Sequence, residues 1–128
     1  MDHLYDLIII GAGPAGITAA VYAARKRMDF CVISKDIGGQ AAWSGDIENY
    51  TGYQFVTGPE LAAKFEEHMR QYNIDLKESE SAVSLVKKDS SKLSVRTDRA
   101  EYESRAVIIA SGKKSKELGV PGEKEFKN

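Results

Sequence analysis

The sequence has one cysteine, Cys31, so it can form no internal disulfide and holds no Cys-x-x-Cys pair. It has no excess of one charge: 18 Lys and Arg stand against 19 Asp and Glu, for a formal net charge of -1. No basic block stands out, so a nucleic-acid or membrane-surface role finds no support. Long apolar runs are missing too. The first aliphatic run, Leu7 to Ile10, is four residues long and follows Asp2, His3 and Asp6, which reads as neither a signal peptide nor a membrane span. A cytoplasmic setting is the expectation. No repeat, low-complexity segment or metal site is read from the sequence. At 128 residues the chain is one domain at most, with enough length for a real core.

What is present is concentrated near the start. Tyr5 to Gly16 reads as an apolar strand, a turn with glycines at 11, 13 and 16, and the start of an alanine-rich helix running to Arg25. Gly11 lets the chain turn off the strand, and Gly13 lets backbone N–H groups approach a pyrophosphate with no Cβ in the way. Gly16 lets helix and strand pack closely. Pro14 suits a first-turn position whose N–H has no helical partner, and the positive end of the helix dipole favours phosphate charge. A glycine fingerprint alone is weak, but here strand, turn and helix coincide. The reading is a dinucleotide cradle.

Asp29 to Ser34 returns as a second parallel strand, and Cys31 within it reads as a small buried hydrophobe. Residues 36–58 hold five glycines and no sustained period, a long loop of the kind that is usually functional. Trp43, Tyr50 and Tyr53 in it are expected to anchor the loop to the domain, with contact to a cofactor or a partner as the alternative. Thr57 to Glu60 signals a helix start, followed by the stripe Leu61, Phe65, Met69 and Tyr72, with His68 beside it in a partly exposed packing role. Ala82–Lys87, Leu93–Thr97 and Glu101–Ser104 alternate as a small antiparallel meander. Ala106 to Ala110 is again fully apolar, a third parallel strand ending at Ser111 and Gly112. The fold class is therefore α/β: a Rossmann-like domain with a central parallel sheet, helices on its faces and a small antiparallel β-meander.

In this order, Gly11-Ala-Gly-Pro-Ala-Gly16, Gly38-Gly-Gln40, Asp46-Ile-Glu-Asn-Tyr50, Thr57-Gly-Pro-Glu-Leu61, Ala110-Ser-Gly112 and Leu118-Gly-Val-Pro-Gly-Glu123 make the chain resemble the low-molecular-weight thioredoxin reductase family, in the N-terminal part of its FAD domain. The resemblance covers essentially the whole chain. It implies that Gly11, Gly13, Pro14, Ala15 and Gly16 hold the FAD pyrophosphate and that Ser34 and Lys35 meet the adenosine side. Gly38, Gly39, Gln40 and Asn49 would line the ribityl and flavin side, where a neutral amide both donates and accepts. Ala110, Ser111 and Gly112 match the family's Ala-Thr-Gly strand end, and Ala82 would contribute through its backbone.

Two positions depart from the pattern. The acidic residue that would end the second strand and bind a ribose hydroxyl is absent, with Ser34 and Lys35 in its place and Asp36 expected beyond the strand. Thr51 stands where a proline often follows the Glu-Asn-aromatic triplet. The family's chemistry also needs NAD(P)H to reduce the flavin and a dithiol to carry electrons to a thioredoxin-like disulfide protein; the sequence holds no second glycine fingerprint and no Cys-x-x-Cys. The expectation is that residues 1–128 are a piece of a longer, homodimeric enzyme, lacking its NADPH domain and C-terminal FAD segment and inactive alone. The alternatives are a ferredoxin-NADP reductase of the thioredoxin reductase type without the dithiol, a stand-alone nucleotide-binding module, and an NAD-binding dehydrogenase domain.

Overall fold

The computed structural model describes residues 3–113 and 118–126. Strand β1 (Leu4–Ile10) leads through helix α1 (Pro14–Arg25) to β2 (Phe30–Ser34). Next come a short helix α2 (Gly39–Trp43), a two-residue ribbon of β3 (Asp46–Ile47) with β4 (Val56–Thr57), and helix α3 (Gly58–Arg70). Strands β5 (Asp75–Glu78), β6 (Ala82–Asp89), β7 (Lys92–Thr97) and β8 (Glu101–Ile109) follow, with a last turn of helix, α4 (Glu123–Phe126).

The six long strands form one sheet in the order β5-β2-β1-β8-β7-β6. Strands β5, β2, β1 and β8 run parallel, with Leu7 opposite both Phe30 and Ala106, and β6 and β7 pair antiparallel at the β8 side. The apolar runs of β1 and β2 are therefore covered on both faces. On one face Leu7, Ile9, Phe30 and Val32 pack against Ile17, Ala20 and Val21 of α1 and Met69 of α3. On the other, Ile8, Cys31 and Ile33 meet Val95 of β7, which lies three strands from β2 in the sheet order. The antiparallel end thus curls over the face opposite the helices.

Three features differ from the sequence expectation. Glu101–Ser104 and the expected strand from Ala106 form one strand, β8, which ends at Ile109, one residue short of Ala110, and pairs antiparallel with β7 and parallel with β1. A one-residue interruption of the alternation marks a change of environment within the strand, not its end. Strand β5 was not anticipated, because Asp75-Leu-Lys-Glu78 is polar at an edge where only one neighbour, β2, pairs with it. The loop 36–58 contains α2, β3 and β4, each too short to show a period.

The expected helix start is present with its cap. The Thr57 hydroxyl accepts from the Glu60 N–H at 3.2 Å and donates to the Glu60 carboxylate at 2.8 Å, and Leu61 and Met69 face the core. His68 is exposed, its ring 6.3 Å from that of Tyr72. Arg70 pairs with Glu66 and with Glu78 of β5, tying the helix to the edge strand.

The second face also carries a polar layer. Tyr5 donates to Asp75 at 2.7 Å, and buried Glu80 accepts from Thr97 at 2.6 Å and Tyr102 at 2.7 Å. Every buried side-chain polar atom among the described residues has a partner. Cys31 lies fully buried between these groups, and burial, then the Asp75 charge, push its thiol from 9.0 up to about 12. Burial, then the hydrogen bond to Asp75, raise the Tyr5 hydroxyl, and burial with the Glu80 contact raises Tyr102. The folded chain therefore keeps a proton on Cys31 that the unfolded chain releases above pH 9. Stability is full below pH 9 and falls as pH rises toward 12. Urea melts across this range are expected to show that decline, and Ellman's reagent at pH 8 is expected to react with the thiol only after urea is added; a native chain that reacts at once would contradict the buried placement.

Candidate functional site

The site is built where β1 and β8 end side by side. Gly11 leaves β1 with φ +108°, its N–H donating to the Ile33 carbonyl at 2.9 Å, and the Ala110 N–H donates to the Ile10 carbonyl at 2.7 Å. Helix α1 then starts almost in contact with this turn. A Cβ on Gly16 would stand 1.9 Å from the Gly11 carbonyl oxygen, and one on Gly11 would stand 2.0 Å from the Ala110 oxygen. Gly11 and Gly16 are thus required by close packing of the turn.

Gly13 has a different job. It caps α1 in extended conformation, with no side-chain cap and no acidic residue in the helix's first turn. A Cβ there would meet Gly39 Cα at 3.5 Å, an ordinary contact, so the fold would tolerate one. What Gly13 leaves open is the approach to the free N–H groups at the start of α1, where the helix dipole is positive.

These groups form the floor of a cleft of about 400 Å³. One wall is α2, which the Gly38 N–H secures by donating to the Ala12 carbonyl at 2.7 Å. The other is the β8 end, and the Gln40 amide spans the two by donating to the Lys113 carbonyl at 3.3 Å. Of the residues expected from the sequence, Gly11, Gly13, Pro14, Ala15, Ser34, Gly39, Gln40, Ala110, Ser111 and Gly112 line this cleft together. The others lie apart from the lining. Gly16 and Gly38 are buried behind it, Lys35 is exposed just past β2, Asn49 is exposed beyond β3, and Ala82 opens β6 on the second face, packed against the Ile8 cluster.

The lining also includes Ala12, Asp36, Trp43 and Lys113, which sequence reasoning had not placed there. Asp36 does lie beyond β2, yet Ser34 donates its hydroxyl to the Asp36 carbonyl, a bond that folds the chain back to the cleft edge. Trp43 stands three residues after Gln40 on α2, a spacing that shares a helix face. That signal could be read only once α2 was known to be a helix. Of the loop aromatics, Tyr50 does anchor, its ring 5.8 Å from Phe65 and 6.3 Å from Tyr53. Trp43 does not, being 82% exposed. Among the described residues no group of three His, Cys, Asp or Glu could hold a metal, and no helix is long and apolar enough to cross a membrane.

A parallel sheet whose first strand–helix turn forms a glycine cradle under an uncapped helix start defines a Rossmann-like dinucleotide-binding domain. Comparison with known proteins gives the particular family. Residues 5–128 match the pyridine nucleotide-disulphide oxidoreductase family, and the chain belongs to it. It is 43% identical to thioredoxin reductase of Bacillus subtilis over 98% of this chain and 39% of that protein. It is also 40% identical to a Bacillus subtilis NADH dehydrogenase, over 97% of this chain and 24% of that protein. Its fold matches the crystal structure of Lactococcus lactis thioredoxin reductase with a TM-score of 0.86 at 34% identity, covering 95% of this chain and 40% of that one. The chain thus spans less than half the length of these relatives and is thioredoxin reductase-like in sequence and fold.

The two glycine roles separate experimentally. Gly16→Ala is expected to cost about 1–3 kcal/mol of stability, the ordinary penalty of overpacking, read from the urea midpoint. Gly13→Ala is expected to leave that midpoint within about 0.5 kcal/mol while weakening nucleotide binding; equal stability losses for both would refute the division.

Proposed function

We propose that this chain is the FAD-binding portion of a thioredoxin reductase-like flavoprotein that passes electrons from NAD(P)H through FAD to a disulfide substrate. The observation that carries this reading is the uncapped start of α1, opening through Gly13 onto a cleft that ten of the family-matched residues line. A pyrophosphate fits there on charge and on shape: the helix start offers donors without a competing side-chain acceptor, and no Cβ fills the approach. The adenosine half would lie toward Ser34 and Asp36, whose carboxylate is the ribose acceptor that the β2 end lacks. The ring half would lie toward Gln40, whose amide stays neutral whatever the redox state.

Bound FAD would supply two-electron chemistry between a nicotinamide and an acceptor. This chain's residues bind and orient; they do not relay. Its one thiol is buried and held protonated, so no thiol exchange starts from it. The nicotinamide domain, the redox dithiol and a homodimeric partner would come from outside residues 1–128, with a thioredoxin-like protein as acceptor. Phosphate binding here is geometric, through backbone donors, and does not depend on the sequence's balanced charge.

The test is a titration of the purified chain with FAD, followed by the visible flavin spectrum, with NAD and NADP as controls. Saturable binding of FAD alone, without NADPH-dependent reduction of a dye by the chain, is expected. Preference for NAD or NADP would reject the flavin reading in favour of a dehydrogenase-type nucleotide domain, and no binding of any of the three would reject this chain as a self-sufficient cradle.

A further inference from the structure

We infer that Trp43 is a ring-stacking residue of the cleft, presenting its indole to the isoalloxazine end of a bound flavin dinucleotide. This inference rests on the flavin reading proposed above and adds to it a contact which the family resemblance does not assign.

The argument starts from what Trp43 does not do. It is the chain's one tryptophan, is 82% exposed, and adds nothing to either core cluster. Among the described residues it makes no ring pair, while Tyr50, Tyr53 and Phe65, which surround the same loop, pack on one another. An indole left in water forgoes a large apolar burial that tryptophan normally makes, and packing among the described residues gives no reason to place one here.

Its position supplies the reason. Trp43 lines the cleft from α2, on the helix face it shares with Gln40, and Gln40 is held across the cleft mouth by Lys113. The phosphate cradle divides the cleft into two ends. The sheet order β2-β1-β8 sets Ser34 and Asp36, at the β2 end, on one side of the β1 turn, and Lys113, past β8, with the Gln40 bonded to it, on the other; Trp43 follows Gln40 on the same helix. A dinucleotide fixed at its pyrophosphate must send one aromatic ring toward each end. The ring arriving beside the Gln40 amide meets the indole, and a planar π-system on an exposed indole gains stacking and apolar burial together.

The experiment compares wild type, Trp43→Ala and Trp43→Phe, titrated separately with FAD and with ADP, which carries the adenosine and the pyrophosphate but no flavin. FAD binding is followed by the visible spectrum and ADP by calorimetry, so neither depends on the indole as reporter. Because Trp43 is so exposed, all three variants are expected to share one urea midpoint. Trp43→Ala is expected to weaken FAD about tenfold, the loss of one ring-stacking contact, and Trp43→Phe to stay within about threefold of wild type. Affinity for ADP is expected to be unchanged, and the emission of bound flavin, quenched on the indole, to recover in Trp43→Ala. Equal FAD affinity in wild type and Trp43→Ala would overturn the inference and leave the flavin reading standing. Weakening of FAD and ADP alike would also overturn it, assigning the indole to the adenine end. Absence of FAD binding in wild type would instead reject this chain as a self-sufficient cradle, and this contact with it.

Discussion

The candidate site depends on how closely helix α1 can approach the ends of β1 and β8. Gly16 sits where any Cβ would lie 1.9 Å from the Gly11 oxygen, and Gly11 sits where any Cβ would lie 2.0 Å from the Ala110 oxygen. Three backbone segments therefore touch without side chains between them. Were they held apart by one methyl group, the start of α1 would be displaced from the turn and its free N–H groups would no longer point into the cleft. The buried side of the helix serves the same end, since Ala20 and Ala23 keep it low on the sheet while Ile17 and Val21 fill the space around them.

The second wall depends on the first. Helix α2 has five residues, too few to hold a helical conformation unaided. It is held from outside: the Gly38 N–H bonds to Ala12, Gly39 abuts Gly13, and Gly58 at the start of α3 leaves room for the Ala41 and Ser44 carbonyls, to which a Cβ would come within 2.3 Å. The cradle, α2 and α3 thus form one close-packed chain of contacts. The capping box at Thr57 and Glu60 fixes where α3 starts, and so where α2 can rest. A loop that reads as structureless in sequence becomes a wall of the site because its neighbours leave it a single place to lie.

This explains what could be read beforehand. The elements around β1, α1, β2 and α3 were legible because each carries a local signal, whether an apolar run, a glycine turn, an alanine-rich helix or a cap with an apolar stripe. Ten of the fifteen site residues named from the sequence come together in one cleft because they lie on those elements or abut them. The missing knowledge was tertiary. Strand β5 has polar residues and is made a strand by pairing with β2, α2 is made a helix by packing, and β8 changes partners midway along its length. Glu80 escaped notice for the same reason: a glutamate in a polar stretch reads as solvated, and only the curl of the sheet brings Thr97 and Tyr102 to satisfy it.

The same curl divides the domain into two faces with different work. On the helix face, packing is by aliphatic side chains and small residues, which leaves the backbone itself as the chemical surface of the cleft. On the other, a layer of hydroxyls and carboxylates closes around Cys31 and puts its sulfur out of reach, while burial first and the Asp75 charge second favour its protonated form. A thiol in such a place is chemically silent, which suits the proposed role of a domain that orients a flavin without exchanging electrons with it. Ser34 joins the two faces. Its carbonyl accepts from the Glu80 N–H at 3.2 Å while its hydroxyl turns to the Asp36 carbonyl at the cleft edge. The polar layer thereby fixes the end of β2, and with it the position of the one carboxylate residue among those that line the cleft. An acidic residue two positions late in sequence is returned to the cleft edge by a hydrogen bond within the turn, a displacement that spacing alone could not reveal.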